Sequence, residues 1–352
     1  MGTKAVAIDL GASAVRVAEV ELSNGADPRD GATLLTYAER PMPVGVMRDG
    51  VVEEPTTLAA LIRQVVAEAK PSSKNFTVGI GHPSVVVREV DIPAQPMDKV
   101  RESLAFHVAD QLPMAPDEAL LDFYPTAEFE AQAGSTLRGI LVAAPRELIR
   151  DLVSVLAAAN VNLAAIDHSA LALWRAICRG PLLERNVAIV DVGAVSTSVC
   201  VSQAGVPRLV RSLPQGSSDA NRAIDAALKG QAADSELLKR EIGMDRSATG
   251  NAKVVADAAA HALTPLIEAI RNTIVYMSSS NPGAGVERVV LTGGGAYVRG
   301  FGQALSSATR LPVTMGESLA GMKVAKKLDG QAFRAHEASM ATVVGLAMGG
   351  HK

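Results

Sequence analysis

The sequence predicts a bilobed α/β protein: two duplicated mixed-sheet domains, with a small α+β subdomain inserted into the first. Three observations lead there. Residues 4–12 read Lys-Ala-Val-Ala-Ile-Asp-Leu-Gly-Ala and residues 187–194 read Val-Ala-Ile-Val-Asp-Val-Gly-Ala, so Asp9 pairs with Asp191, Gly11 with Gly193 and Ala12 with Ala194. Each copy is followed by two more strand patterns. Residues 80–165 then interpose a strand–helix–strand–strand–helix order of their own.

Residues 4–9 form a short apolar run ended by an acid. Val15, Val17, Glu19 and Glu21 follow in alternation, predicting a strand with one wet face. Asn-Gly, Asp-Pro and Asp-Gly pairs between residues 24 and 31 signal turns before a third strand at 33–39. Thr56 and Thr57 open a helix to residue 70, with Leu58, Leu61, Ile62, Val65 and Val66 on one face and Pro71 as its stop. Strands are expected at 76–80 and 84–92, then a helix at 98–111 closed by Pro113 and Pro116. Strands at 121–124 and 137–143, a helix at 145–160 and a strand at 161–166 complete the first half. Asp167 reads as the N-cap of the next helix, on which Trp174 packs in the core or between lobes. The second half offers strands at 186–192, 196–203 and 207–212, helices through 281, and a buried strand at 288–291. The expected division is a first lobe of 1–79 and 166–185, an insertion of 80–165, and a second lobe of 186–352 whose helical part is 217–280.

Composition narrows the function. A chain of 352 residues with 48% apolar and 20% charged side chains can bury a core without staples. Its formal charge of −3 gives no pull toward nucleic acid or anionic lipid. Cys178 and Cys200 lack any paired spacing, and the six histidines show no metal spacing. No run reaches the ~20 apolar residues of a membrane span. The expectation is a cytoplasmic protein that neither inserts into the membrane nor binds nucleic acid.

The chemistry sits where the repeat sits. A carboxylate at the carboxyl end of a strand can hold a hydrated Mg²⁺, and the glycine two residues on turns backbone amides toward a phosphate. Asp9 with Gly11, Ala12 and Ser13, and Asp191 with Gly193, Ala194, Ser196 and Thr197, would grip a triphosphate from opposite sides. Arg16 adds a cation. Gly293, Gly294 and Gly295 after a buried strand let a ligand approach the backbone closely. No nucleophile–base pair for covalent catalysis is evident.

These hairpins and the Leu291-Thr292-Gly293-Gly294-Gly295 loop resemble the actin, sugar-kinase and heat-shock-chaperone ATPase superfamily. Ser235-Glu236-Leu237-Leu238-Lys239 is similar to its acid-and-lysine helix, so that Glu236 and Lys239 would contact ribose and base. Narrower stretches resemble one branch, the PilM family of actin-like type IV pilus assembly proteins. They are Gly79-Ile80-Gly81-His82-Pro83-Ser84, Arg88-Glu89-Val90-Asp91-Ile92-Pro93, Leu112-Pro113-Met114-Ala115-Pro116-Asp117-Glu118 and Arg211-Ser212-Leu213-Pro214-Gln215-Gly216. Arg16 departs from the lysine usual in relatives, Val195 from a small hydroxyl residue, and Ser169 from a frequent glutamate.

The resemblance implies an actin-like fold, ATP and Mg²⁺ as cofactors with Asp9 and Asp191 holding the metal through water, and Gly216 beside the phosphates. Hydrolysis would be slow at most, and no catalytic residue is named. It also implies a scaffold in pilus assembly and twitching motility. That scaffold would bind the cytoplasmic N-terminal tail of a PilN-like inner-membrane protein in a groove between the main domain and the inserted subdomain, with residues 84–92 and the following helix as the region to mutate first and other inner-membrane pilus components as further candidates. That partner would recruit it to the inner face of the cytoplasmic membrane. The alternatives are a filament-forming cell-division protein like FtsA and a small-molecule kinase of the same superfamily.

Overall fold

The computed structural model describes residues 2–23, 31–48, 50–132, 134–230, 234–280 and 285–349. The turn expected within 24–31 lies largely outside them, as do residue 281, where the helices were expected to end, and His351.

Strand β1 (Thr3–Leu10) pairs antiparallel with β2 (Ala14–Leu22), setting Asp9 opposite Arg16. Strand β3 (Thr33–Pro41) adds to β2 with Glu39 opposite Arg16. The wet face expected of β2 is absent: Glu19 is buried and accepts hydrogen bonds from the Ser72 amide and hydroxyl and the Ser73 amide. Its carboxylate is thereby satisfied inside the protein. A small ribbon of β4 (Met47–Arg48) and β5 (Val51–Val52) leads to α1 (Pro55–Ala69). Proline at its start costs no hydrogen bond, and left-handed Lys70 ends it. Strand β6 (Asn75–Ile80) then returns parallel to β1.

The chain next leaves this lobe. Strands β7 (Val86–Pro93), β8 (Ala119–Ala131) and β9 (Gly134–Pro145) form a separate sheet in the order β7-β9-β8, with α2 (Met97–Val108) packed on it. Val90, Ile92, Val100, Leu104, Phe123 and Leu141 make its small core. Helix α3 (Arg146–Ala158) and strand β10 (Asn162–His168), expected in the insertion, belong to the first lobe instead. Leu152, Val155 and Leu156 of α3 share a core with Leu58, Ile62 and Val65 of α1, and β10 pairs parallel with β6. Helix α4 (Ser169–Ile177) follows, capped by the His168 ring rather than by Asp167, which is paired with Arg175.

The second lobe repeats the plan. Strands β11 (Val187–Val192), β12 (Thr197–Gln203) and β13 (Val206–Leu213) form an antiparallel meander. Helices α5 (Ser218–Ala227), α6 (Ser235–Glu241) and α7 (Gly250–Ser280) cross over to β14 (Arg288–Thr292), parallel to β11 as β6 is to β1. Helix α8 (Phe301–Thr309) and β15 (Val313–Met315) close a sheet of order β13-β12-β11-β14-β15. The chain was expected to stay in this lobe to its end, but it crosses back. Strand β16 (Lys323–Val324) joins β3, and α9 (Gly330–Gly349) lies on β1 and β2 through Met340, Val343, Val344 and Leu346. Leu173 and Ile177 of α4 meet Val187, Ile189, Cys200 and Val290, so Trp174 flanks a core shared between the lobes, as expected.

Candidate functional site

A cleft of about 1130 Å³ opens between the lobes. Both Asp-x-Gly hairpins face it. The Gly11 amide bonds the Ala14 carbonyl and the Gly193 amide bonds the Ser196 carbonyl, each at 3.0 Å, so one turn is built twice. Asp9, Gly11, Ala12, Ser13, Arg16, Asp191, Gly193, Ala194, Ser196, Glu236, Lys239, Gly293 and Gly294 all line this one space.

Three expected residues stand behind it. Thr197 is fully buried and donates its hydroxyl hydrogen to the Gln215 carbonyl at 2.8 Å. Gly216 lies against the Ala194 backbone, and Gly295 against Val192. These three support the cradle rather than line it. The Ser217 and Ser218 amides also bond the Gly193 and Ala194 carbonyls, fastening the second hairpin to the end of β13. Gly293 has φ of 81°, and a Cβ there would stand 2.5 Å from the Val192 carbonyl oxygen, so both conformation and space require glycine.

Electrostatics at the floor are strained. Burial pushes the Asp9 carboxyl above its usual range, against the pull of Arg16. Burial pushes Asp191 up to about 6; a 3.0 Å hydrogen bond from Thr292 opposes the shift and the Asp9 charge adds to it. Arg16 forks Glu39 with its Nε and Nη2, each at 3.2 Å, and sends Nη1 to Asp9 at 3.4 Å. Tyr37 donates its hydroxyl hydrogen to the same Glu39. At the other end buried Lys239 meets Glu236 at 2.5 Å. Burial works against the Glu236 charge, but hydrogen bonds from Lys239, Asn221 and Arg240 outweigh it and hold the carboxyl down to about 2.

Tyr37, Glu39, Arg240, Tyr297 and His336 also line the cleft, and sequence reasoning missed them. For Glu39 the available signal was register: it sits opposite Arg16 across the β2–β3 ladder. His336 and Tyr297 meet edge to face at 6.0 Å, a pairing that depends on the return of α9.

Carboxylates alone suit a hard cation, and among the described residues no group of three or more His, Cys, Asp or Glu could cage one. That donor set fits a hydrated Mg²⁺ completed by phosphate oxygens, the usual way this ion is held.

Two lobes of repeated hairpin, parallel strand and helix, enclosing such a cleft, define an actin-like ATPase fold. Comparison with solved structures agrees. The ethanolamine utilization protein EutJ from Carboxydothermus hydrogenoformans superimposes with a TM-score of 0.58 at 15% identity, over 99% of this chain and 90% of its own. MreB5 of Spiroplasma citri bound to ADP gives 0.56 at 11% identity, over 97% and 94%. A PilM–PilN type IV pilus biogenesis complex gives 0.84 at 24% identity, over 100% of both chains. No curated protein sequence matches the chain. The family model described as type IV pilus assembly protein PilM matches residues 7–351, so the chain belongs to the PilM family. Among the described residues no helix is long and apolar enough to cross a membrane.

Proposed function

We propose that this chain binds Mg-ATP in the cleft and acts as a cytoplasmic scaffold of type IV pilus assembly. It would dock the tail of a PilN-like inner-membrane protein and be held by it at the inner face of the membrane. One observation carries the nucleotide half: two identical Asp-x-Gly turns, from the two halves of the repeat, converge on one space. The amides of residues 11–13 and 193–196 would hold phosphates. Asp9 and Asp191 would orient the waters of Mg²⁺, which when bound neutralises phosphate charge. Glu236 and Lys239 would hold the nucleoside, with Gly293 and Gly294 allowing its close approach.

The partner half rests on family membership and on the apolar part of the cleft's lining. Met42, Met47, Leu148 and the fully exposed Val44 give the cleft an apolar mouth beside His82 and Pro83, where the insertion begins. An extended tail with apolar anchors suits such a mouth. Deleting residues 80–165 would not test this cleanly, because α3 and β10 are parts of the first lobe.

Calorimetric titration of the purified chain with Mg-ATP, with phosphate release followed in the same sample, tests the reading. Tight binding with little release is expected, and Asp191→Asn should weaken it by at least tenfold. A tail peptide should bind the wild type and lose affinity to Val44→Asp. Absence of nucleotide binding in the wild type would sink the first half, and an unaffected peptide affinity the second.

A further inference from the structure

Arg16 makes more of its contacts with Glu39 than with the cleft. Its Nε and Nη2 edge is spent on the two Glu39 oxygens, and only Nη1 points toward Asp9. The fork is a planar, two-bond geometry that lysine at this position would not reproduce. Glu39 is itself steadied by the Tyr37 hydroxyl, and the Tyr37 ring packs edge-on against Phe333 of α9 at 5.2 Å. Asp9 and Arg16 are both buried, whereas Glu39 reaches the cleft with its side chain 37% exposed. Asp9, Asp191 and Glu39 therefore place three carboxylates around the guanidinium of Arg16, while Lys239 and Arg240 are paired with Glu236.

From this arrangement we infer that Glu39 is a positioning residue that makes nucleotide binding depend on the divalent cation. This rests on the nucleotide reading above. Two effects follow from the same contact. By anchoring the Arg16 fork, Glu39 keeps that fork from closing on Asp9, which leaves the Asp9 carboxylate able to accept from metal-bound water. By adding a negative charge to the floor, it repels a bare triphosphate and favours one whose charge a cation has reduced. Glu39 touches Arg16 and Tyr37 and acts through Arg16, so its signature is cation dependence rather than overall affinity.

The experiment is calorimetric titration of the full chain with ATP, once with Mg²⁺ and once with EDTA, reporting the ratio of the two dissociation constants. Glu39→Gln keeps the side chain's shape and removes its charge. It is expected to tighten binding of free ATP, weaken binding of Mg-ATP, and cut the ratio by roughly tenfold. Tyr37→Phe, which frees Glu39 without removing its charge, should shift the ratio the same way by less. A second readout needs no nucleotide. The Arg16 Nε–H resonance of the nucleotide-free protein should move and exchange faster in Glu39→Gln, with the melting temperature confirming that the variant folds.

A residue that only supported the fold would change both dissociation constants in proportion, and an unchanged ratio overturns the inference. So does an unmoved Arg16 resonance. If Glu39→Gln failed to fold, Tyr37→Phe would decide by the same ratio. A wild type that binds no nucleotide at all would overturn the nucleotide reading and this inference together. A wild type that binds with an unmoved ratio in the variant would overturn this inference alone.

Discussion

Asp191 holds a buried carboxyl whose charge costs the fold stability. Its carboxyl is raised to about 6, against 3.8 for the free group, chiefly by burial. A carboxyl raised in the folded state binds its proton more tightly there than in the unfolded chain, so stability falls as pH rises from near 3.8 through 6. Above that window the penalty is complete. It is on the order of 2 kcal/mol, discounted because the side chain still meets the cleft. Asn at this position can keep the Thr292 contact without the charge. Asp191→Asn should therefore raise the melting temperature of the nucleotide-free protein at pH 7.5, and the gain should shrink as pH falls from 6 toward 4. Scanning calorimetry of both proteins across that range checks it. A gain that did not vary with pH would mean that something other than the charge is responsible. The same substitution is expected to weaken Mg-ATP binding, so stability and ligand affinity should move in opposite directions at one residue.

Helix α9 shows where sequence reading stopped. From Ala338 to Met348 nearly every side chain is buried, because this stretch is covered by β1 and β2 on one side and α4 on another. A helix buried on most sides shows no polar face to mark its period. The repeated hairpins were legible because each needs the same short code, an acid after a strand and a glycine two residues later. Depth was not legible: Thr197 and Gly216 follow the motif in sequence yet sit behind it, since the end of β13 folds under the second hairpin. Nor was Glu39, whose partnership with Arg16 depends on the register of β3 on β2. Helix α3 misled for a related reason. Its amphipathic pattern fits any apolar surface, and only the tertiary path places it on α1.

Gly345 is the tightest point of the α4–α9 crossing, where an added Cβ would run into the Ala172 carbonyl oxygen. Gly345→Val should cost about 2–3 kcal/mol by forcing the helices apart. Leu346→Ala, a neighbouring cavity-forming change, should cost about 2–5 kcal/mol. Urea unfolding reads both; an unchanged midpoint for Gly345→Val would show that the crossing relaxes freely.

The insertion is joined covalently to the first lobe, yet it also touches the second. Edge strand β13 of the second sheet faces edge strand β7 of the insertion, and Arg208 Nη1 meets Glu89 at 2.6 Å across them. Glu89 also lies 3.6 Å from Arg138, which forks Asp91 with both bonds at 2.8 Å, so the bridge continues into the insertion's own sheet. At its far end β13 runs directly into the segment that clasps the second hairpin. A ligand that draws the hairpin at 193–196 inward therefore pulls on a strand that is laddered to β12 on one edge and faces the insertion on the other. Two packed edges and one half-buried ion pair form a contiguous physical route between cleft and insertion. Under this geometry Mg-ATP should slow amide exchange in the two hairpins, in β13 and in β7 together. Arg208→Met keeps the apolar stem and removes the charge, so it should preserve protection at the hairpins while abolishing the change at β7. Hydrogen exchange measured with and without Mg-ATP separates the cases. Protection confined to the hairpins in the wild type would mean that the insertion moves independently of the cleft, and that any effect of nucleotide on a docked tail must pass through the first lobe.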